Sequence, residues 1–199
     1  MNTTKSGLVN SLSNIEYIIK YTFKNKNLLI KAFTHSSFTQ DKNLTYERME
    51  FLGDALLNFV VAEYLYENYP EKDEGDYTLA RSEVVDTNSL YREISQRGLI
   101  NYLLVGNKSL KYEVNLGKNK KLYADLYESI LCAIYLDGGI NQAKRFIYDT
   151  LSKELNEAAL CIDYKNYKTT LKEAGEKNRF NIEYVLDKRV GSDNAPIYY

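Results

Sequence analysis

The sequence predicts a mainly α protein: an all-helical domain over residues 1–160, followed at 161–199 by a partial α+β module of one helix and two strands. Three observations carry this. From Ile15 to about Leu160 apolar residues recur at helical spacing, with no β alternation of any length. That stretch holds only one proline, Pro70. After it the composition changes, and short runs bounded by turn residues replace the long helical ones.

A first helix is expected over Ile15 to Tyr21, turning through the Lys/Asn-rich FKNKN into a second that starts near Asn27 and carries Leu28, Leu29, Ile30, Ala32 and Phe33. A polar loop, Thr39 to Asn43, follows. The next helix runs from about Tyr46 to Asn68 and is apolar almost all round, with Met49, Phe51, Leu52, Leu56, Leu57, Phe59, Val60, Val61 and Leu65. Such a helix belongs in a domain centre, and Pro70 closes it. Helices near Asp76 to Val85 and Ser89 to Arg97 precede a Lys-rich loop. A second strongly apolar helix, about Leu122 to Leu136, is stopped by Gly138 and Gly139, and another runs from Asn141 to about Leu160. Beyond it Asn166 to Asn178 reads as a helix, Ile182 to Leu186 as a strand, Gly191 to Asn194 as a turn and Ala195 to Tyr199 as a second strand. One helix and two strands bury too little apolar surface to stand alone, so this end reads as the opening of a larger module.

Composition narrows the function. The 199 residues are 44% apolar and 27% charged with a formal net charge of -1, which excludes a disordered or fibrous chain. The longest apolar run, Ile130 to Leu136, is too short to cross a bilayer, and the polar start MNTTKSG lacks the apolar core of a signal peptide, so a cytoplasmic protein without membrane contact is expected. Two cysteines, Cys132 and Cys161, and one histidine, His35, make neither a disulfide framework nor a zinc site. The near-zero net charge hides an asymmetry. Residues 51–100 hold 10 acidic against 4 basic side chains, while Lys108 to Lys121 holds five lysines against Glu113 alone.

The acidic excess has a pattern. Glu47, Glu50 and Asp54 are spaced i, i+3, i+7 along one face of the first apolar helix, and Asp125 and Glu128 stand i, i+3 on the second. None has an obvious Lys or Arg partner on its own face, and half-buried like charges are driven to protonate unless a cation joins them. Oxygen ligands without His or Cys select magnesium or manganese, and such sites commonly serve phosphoryl transfer. The other reading is that these acids face solvent and balance nearby lysines; spacing alone leaves both open.

The residues themselves go further. Glu47 to Leu57, ERMEFLGDALL, resembles the signature of the ribonuclease III family, endonucleases that cut double-stranded RNA. YTFKNKNLLIKAFTHSSF at Tyr21 to Phe38, EG at Glu74 and Gly75, and ADLYESILCAIYLDGG at Ala124 to Gly139 resemble its other segments in collinear order over roughly residues 15 to 150. NYKTTLKE, IEYVL and GSDNAPIYY resemble the opening of the family's C-terminal double-stranded RNA-binding domain.

The resemblance implies that Glu50, Asp54, Asp125 and Glu128 surround a catalytic Mg2+, for which Mn2+ can substitute, with Asp54 and Glu128 the catalytic pair. The implied reaction is phosphodiester hydrolysis leaving a 5′-phosphate and a 3′-hydroxyl, without a covalent intermediate. Glu47 and Glu74 match accessory acidic positions. Family members are homodimers, and Phe51 matches the dimer contact. Thr169 and Glu173 match RNA-contacting positions of the C-terminal module. There the chain departs from the family: Lys172 stands where Gln is frequent, the loop reads GSDNAP, and the third strand and the last helix with its lysine cluster are absent. Two other readings remain: a double-stranded RNA-binding protein that does not cut, which the intact acids argue against, and a helical interaction protein whose acids are surface charges.

Overall fold

The computed structural model describes residues 4–106, 110, 112–113, 117–180, 189–192 and 195–198; side chains are described for these except 159–170, 173 and the strand residues. The chain divides into two compact units, Met1–Leu160 and Cys161–Tyr199.

Capping chemistry sets where most helices of the first unit begin. The Thr4 hydroxyl accepts the Gly7 N–H at the start of α1 (Lys5–Asn10). After Ser11, α2 (Leu12–Ile19) runs until Lys20 takes a left-handed φ of 55°. Asn25 caps α3 (Lys26–Ala32). Asp41 then caps a 3-10 turn, Lys42–Leu44, inside the expected polar loop. The long α4 (Glu47–Asn68) follows. Asp73 and Asp76 form a reciprocal capping box at the head of α5 (Glu74–Val84), and Asp86 caps α6 (Thr87–Gln96). A 3-10 turn, Leu99–Tyr102, leads on to α7 (Lys120–Gly138), α8 (Ile140–Thr150) and α9 (Ser152–Lys177).

Helix α7 is the axle: it packs against α4, α6, α8 and α3. Leu126, Tyr127, Ile130, Leu131, Ala133 and Ile134 are wholly buried along it, and Leu57, Val60, Val61 and Leu65 face them from α4. Each such aliphatic side chain contributes about 1.5–3 kcal/mol relative to leaving it exposed. Two buried polar groups of α7 are paired: Ser129 donates to the Ala32 carbonyl at 2.9 Å, and the Tyr127 and Thr150 hydroxyls share a 2.7 Å bond. Near the C-terminal end of α7, the Asp137 carboxylate accepts the backbone N–H groups of Lys24 and Asn25, each at 2.8 Å, which ties down the turn between α2 and α3.

Several boundaries differ from expectation. The segment Asn141–Leu160 is not one helix: Leu151 interrupts it, beside a Thr150 hydroxyl drawn toward Tyr127. No break follows near Leu160, because the residues from there to Asn166 include neither glycine nor proline, and α9 runs on to Lys177. Helix α4 is not apolar-buried all round, since Phe51 is 79% and Phe59 55% exposed and Leu52 is also exposed. In the second unit β1 (Arg189–Ser192) and β2 (Ala195–Tyr198) pair antiparallel, Arg189 opposite Tyr198 and Ser192 opposite Ala195. Gly191 and Ser192, expected in the turn, thus lie in β1; the expected strand Ile182–Leu186 lies outside the described residues. Among the described residues no helix is long and apolar enough to cross a membrane.

One glycine controls the central packing. A Cβ on Gly53 of α4 would stand 2.6 Å from the carbonyl carbon of Glu128 on α7, and closer still to its oxygen. In a free helix Gly→Ala gains about 1 kcal/mol; here the helices would have to part. Gly53→Ala is therefore expected to destabilise the protein by about 2–3 kcal/mol, read as a lower midpoint in chemical denaturation, and an unchanged midpoint would mean that the two backbones are not in contact.

Candidate metal centre

The close approach at Gly53 sets the first turns of α4 beside the first half of α7. Each helix brings its own line of acids to the seam. One carboxylate oxygen each from Glu50, Asp125 and Glu128 lie within 4.8 Å of one another. Glu50 and Asp125 stand 75 residues apart in the chain, an arrangement that neither helix could make alone. Asp54 stands one turn beyond Glu50, outside that group of three; its Oδ1 accepts from Asn58 at 2.9 Å, and its charge acts on Glu128.

The electrostatics are strained in the way like charges in a half-buried cleft must be. Burial raises the Glu128 carboxyl, and the charges of Asp54, Asp125 and Glu50 raise it further, to about 8. Burial lifts Asp125, against the pull of Lys121, and lifts Glu50 together with the Asp125 charge. The expectation that these acids have no basic partner is corrected here: the Lys121 ammonium donates to Asp125 at 2.8 Å and lies 3.4 Å from Glu50. Lys121 belongs to the first turn of α7, four residues before Asp125, and not to a loop.

The other expected residues are placed as follows. Glu47 accepts the Ser36 N–H at 2.8 Å, and although burial alone would raise its carboxyl, hydrogen bonds from Ser36 and Thr45 hold it below the ordinary glutamate value. It anchors the segment that carries His35 to the head of α4. Glu74 begins α5, where its carboxylate accepts from Thr78 at 3.1 Å; it is not in the group of three. Phe51 points away from the core. Thr169 and Glu173 fall within α9, but their side chains lie outside the described residues. His35 accepts the Ser37 N–H on Nδ1 at 3.0 Å, which shapes the loop, and burial lowers its pKa against the opposing charges of Glu47 and Asp125.

These donors fit a divalent cation. Three carboxylate oxygens suit a hard ion with remaining positions for water. Beside them, the Tyr46 hydroxyl is buried without a hydrogen-bond partner among the described residues. Burial, and then the charges of Asp125, Glu50, Glu47 and Glu128, hold its proton in place. An unpartnered buried hydroxyl on which these acids act would be satisfied by a water held in the cleft. Sequence spacing missed both Tyr46, which precedes the acidic line, and Lys121, whose i, i+4 relation to Asp125 was legible but was read with the basic loop.

The raised Glu128 gives a testable pH dependence. In the metal-free protein the folded chain keeps a proton on Glu128 that the unfolded chain releases above its ordinary value of 4.5. Between 4.5 and about 8 the folded state therefore binds more protons, and stability falls as pH rises through that window. Denaturation in the presence of a chelator is expected to show this fall, and Glu128→Gln to flatten it; equal slopes for both would show that Glu128 ionises normally.

Comparisons with known proteins bear on the chain as a whole. A family model described as ribonuclease-III-like matches residues 25–155. The chain is 36% identical over 184 residues to ribonuclease 3 of Aliarcobacter butzleri, covering 92% of this chain and 80% of that one. It is 35% identical over 202 residues to ribonuclease 3 of Borreliella burgdorferi, covering 99% and 80%. Among solved structures, a nuclease domain of ribonuclease III from Campylobacter jejuni, described for flexibility in a region involved in dimer formation, superposes with a TM-score of 0.63 at 33% identity, covering 71% of this chain and 99% of that one. With its mainly helical fold and these relatives, the chain belongs to the ribonuclease III family.

Proposed function

We propose that the protein is an endoribonuclease that hydrolyses phosphodiester bonds in double-stranded RNA, dependent on Mg2+ with Mn2+ able to replace it, and that it acts in RNA processing as a homodimer. The observation that carries this reading is the meeting of Glu50, Asp125 and Glu128 at one point on two packed helices, in a chain of this family. When bound, the cation supplies activation of water and neutralises charge on the phosphate oxygens.

Within that chemistry each residue has a task. Glu50, Asp125 and Glu128 would hold the ion, and Glu128, whose carboxyl burial and the neighbouring acids raise, would lose its proton to solvent on binding it. Asp54, one turn along α4, supplies a fourth negative charge beside Glu128. Glu47 keeps the His35 loop against the site. Glu74 is an accessory acid carried by α5. The water oxygen attacks phosphorus, the bond to the 3′ oxygen breaks, and that oxygen takes a proton. The products are a 5′-phosphate and a 3′-hydroxyl.

The dimer reading rests on α4, which presents Phe51, Leu52, Phe59 and Tyr66 to solvent. Several large apolar groups on one helix of a water-soluble fold mark a contact surface. The second unit, a helix followed by an antiparallel hairpin, supports its reading as the first part of a double-stranded RNA-binding domain, with Thr169 and Glu173 as RNA contacts.

Glu128→Gln is expected to reduce duplex cleavage at saturating Mg2+ by at least about a hundredfold while leaving duplex affinity within about twofold, because the amide keeps the shape and loses the charge. Cleavage at the wild-type rate would refute the mechanism. Phe51→Asp puts a charge into the proposed contact; sedimentation should show a shift from dimer to monomer, and an unchanged dimer would move the interface elsewhere on the molecule.

A further inference from the structure

One contact in the acidic cleft is not required by the reaction. The Lys121 ammonium lies 2.8 Å from Asp125 Oδ1 and 3.4 Å from Glu50 Oε1, so a single positive charge joins a ligand of α4 to a ligand of α7. Its own side chain is 74% exposed, whereas those of Asp125 and Glu50 are 13% and 26% exposed. The ammonium therefore approaches from the solvent side, over the mouth of the cleft, and the carboxylates form its floor.

We propose that Lys121 is a built-in stand-in for the metal: its ammonium holds Glu50 and Asp125 at ligand spacing in the metal-free protein, and the incoming divalent cation must displace it. This rests on the reading of the cleft as a metal centre. The geometry makes both halves of the exchange cheap. Holding needs no rearrangement, because Lys121 is anchored on the same helix as Asp125 at i, i+4 spacing. Release needs only rotation of an exposed four-carbon stem, with no movement of either helix.

Charge decides the direction. Four carboxylates converge on or beside the cleft, and one ammonium neutralises at most one of them. A divalent cation neutralises two and binds the oxygens directly, at about 2.0–2.1 Å for Mg2+. An ion among the three oxygens would also be held by Glu128, which Lys121 acts on only through its charge and does not pair with. The ammonium is thus good enough to keep the ligands gathered and too weak to compete once the ion is present. Lys121 is a positioning residue in the resting protein and a competitor during loading; it is not a ligand.

The test is a titration of the full chain with Mn2+ by calorimetry without RNA, paired with thermal denaturation in chelator. Lys121→Met removes the charge and keeps the stem. It is expected to tighten Mn2+ binding about fivefold, the release of one exposed ion pair, and to lower the melting temperature of the metal-free protein, with the difference vanishing at saturating Mn2+. Lys121→Arg, which keeps the positive charge, should bind Mn2+ no tighter than wild type. Unchanged or weaker Mn2+ binding by Lys121→Met would overturn the displacement. Should wild type and Lys121→Met both fail to bind Mn2+, the metal centre falls, and this inference falls with it.

Discussion

The contact between Gly53 of α4 and the Glu128 backbone of α7 is the constraint on which the rest of the molecule depends. A hydrogen in place of a methyl group lets two helix backbones touch in the centre of the domain. Because helical side chains radiate from their axes, this separation decides whether acids on the two facing turns meet or merely face one another across a gap. Leu57, Val60 and Val61 on one side and Leu126, Ile130 and Leu131 on the other then lock the pair by ordinary burial. The apolar core and the acidic cleft are two ends of one helix packing.

The two ends pull in opposite directions. Burial stabilises the fold along the lower part of α4 and α7, while at their upper turns it brings carboxylates out of water beside one another. The raised Glu128, Asp125 and Glu50 register that opposition. A protein selected for stability alone would put polar neutral groups there; this chain instead gathers charge density at a point where a small cation would relieve it. Local hydrogen bonds soften the conflict at the margins. Glu47 is stabilised as a carboxylate by Ser36 and Thr45, and Lys121 bridges Glu50 and Asp125.

Helix α4 serves three environments along and around its length. Its inner stripe is core, its first turns carry acid, and Phe51, Leu52, Phe59 and Tyr66 face outward. Phe51 directly follows Glu50, so a surface that buried Phe51 would also fix the turn that carries Glu50. The exposed apolar stripe and the acidic cleft thus meet at adjacent residues of one helix.

Much of this was legible in the amino-acid order. Helical spacing over Ile15 to Leu160, the breaking effect of Pro70 and Gly139, and the acidic lines at Glu47, Glu50 and Asp54 and at Asp125 and Glu128 are local properties, set by backbone geometry within a few residues. What the sequence could not decide is what lies across from each line. The same α4 pattern is compatible with a helix buried on every side or on one, and only packing left Phe51 and Phe59 exposed. Spacing left the acids either solvated or converging; the Gly53 contact brought Glu50 to Asp125 and Glu128 while leaving Asp54 outside the innermost group. The break at Leu151 likewise lies beside a Thr150 hydroxyl bonded to Tyr127, a residue distant in the chain, and the charges that act on the buried Tyr46 hydroxyl come from α7 as well as α4. Periodicity records which face of an element is apolar or charged, whereas a site is a coincidence of two faces, and that is settled only when the helices pack.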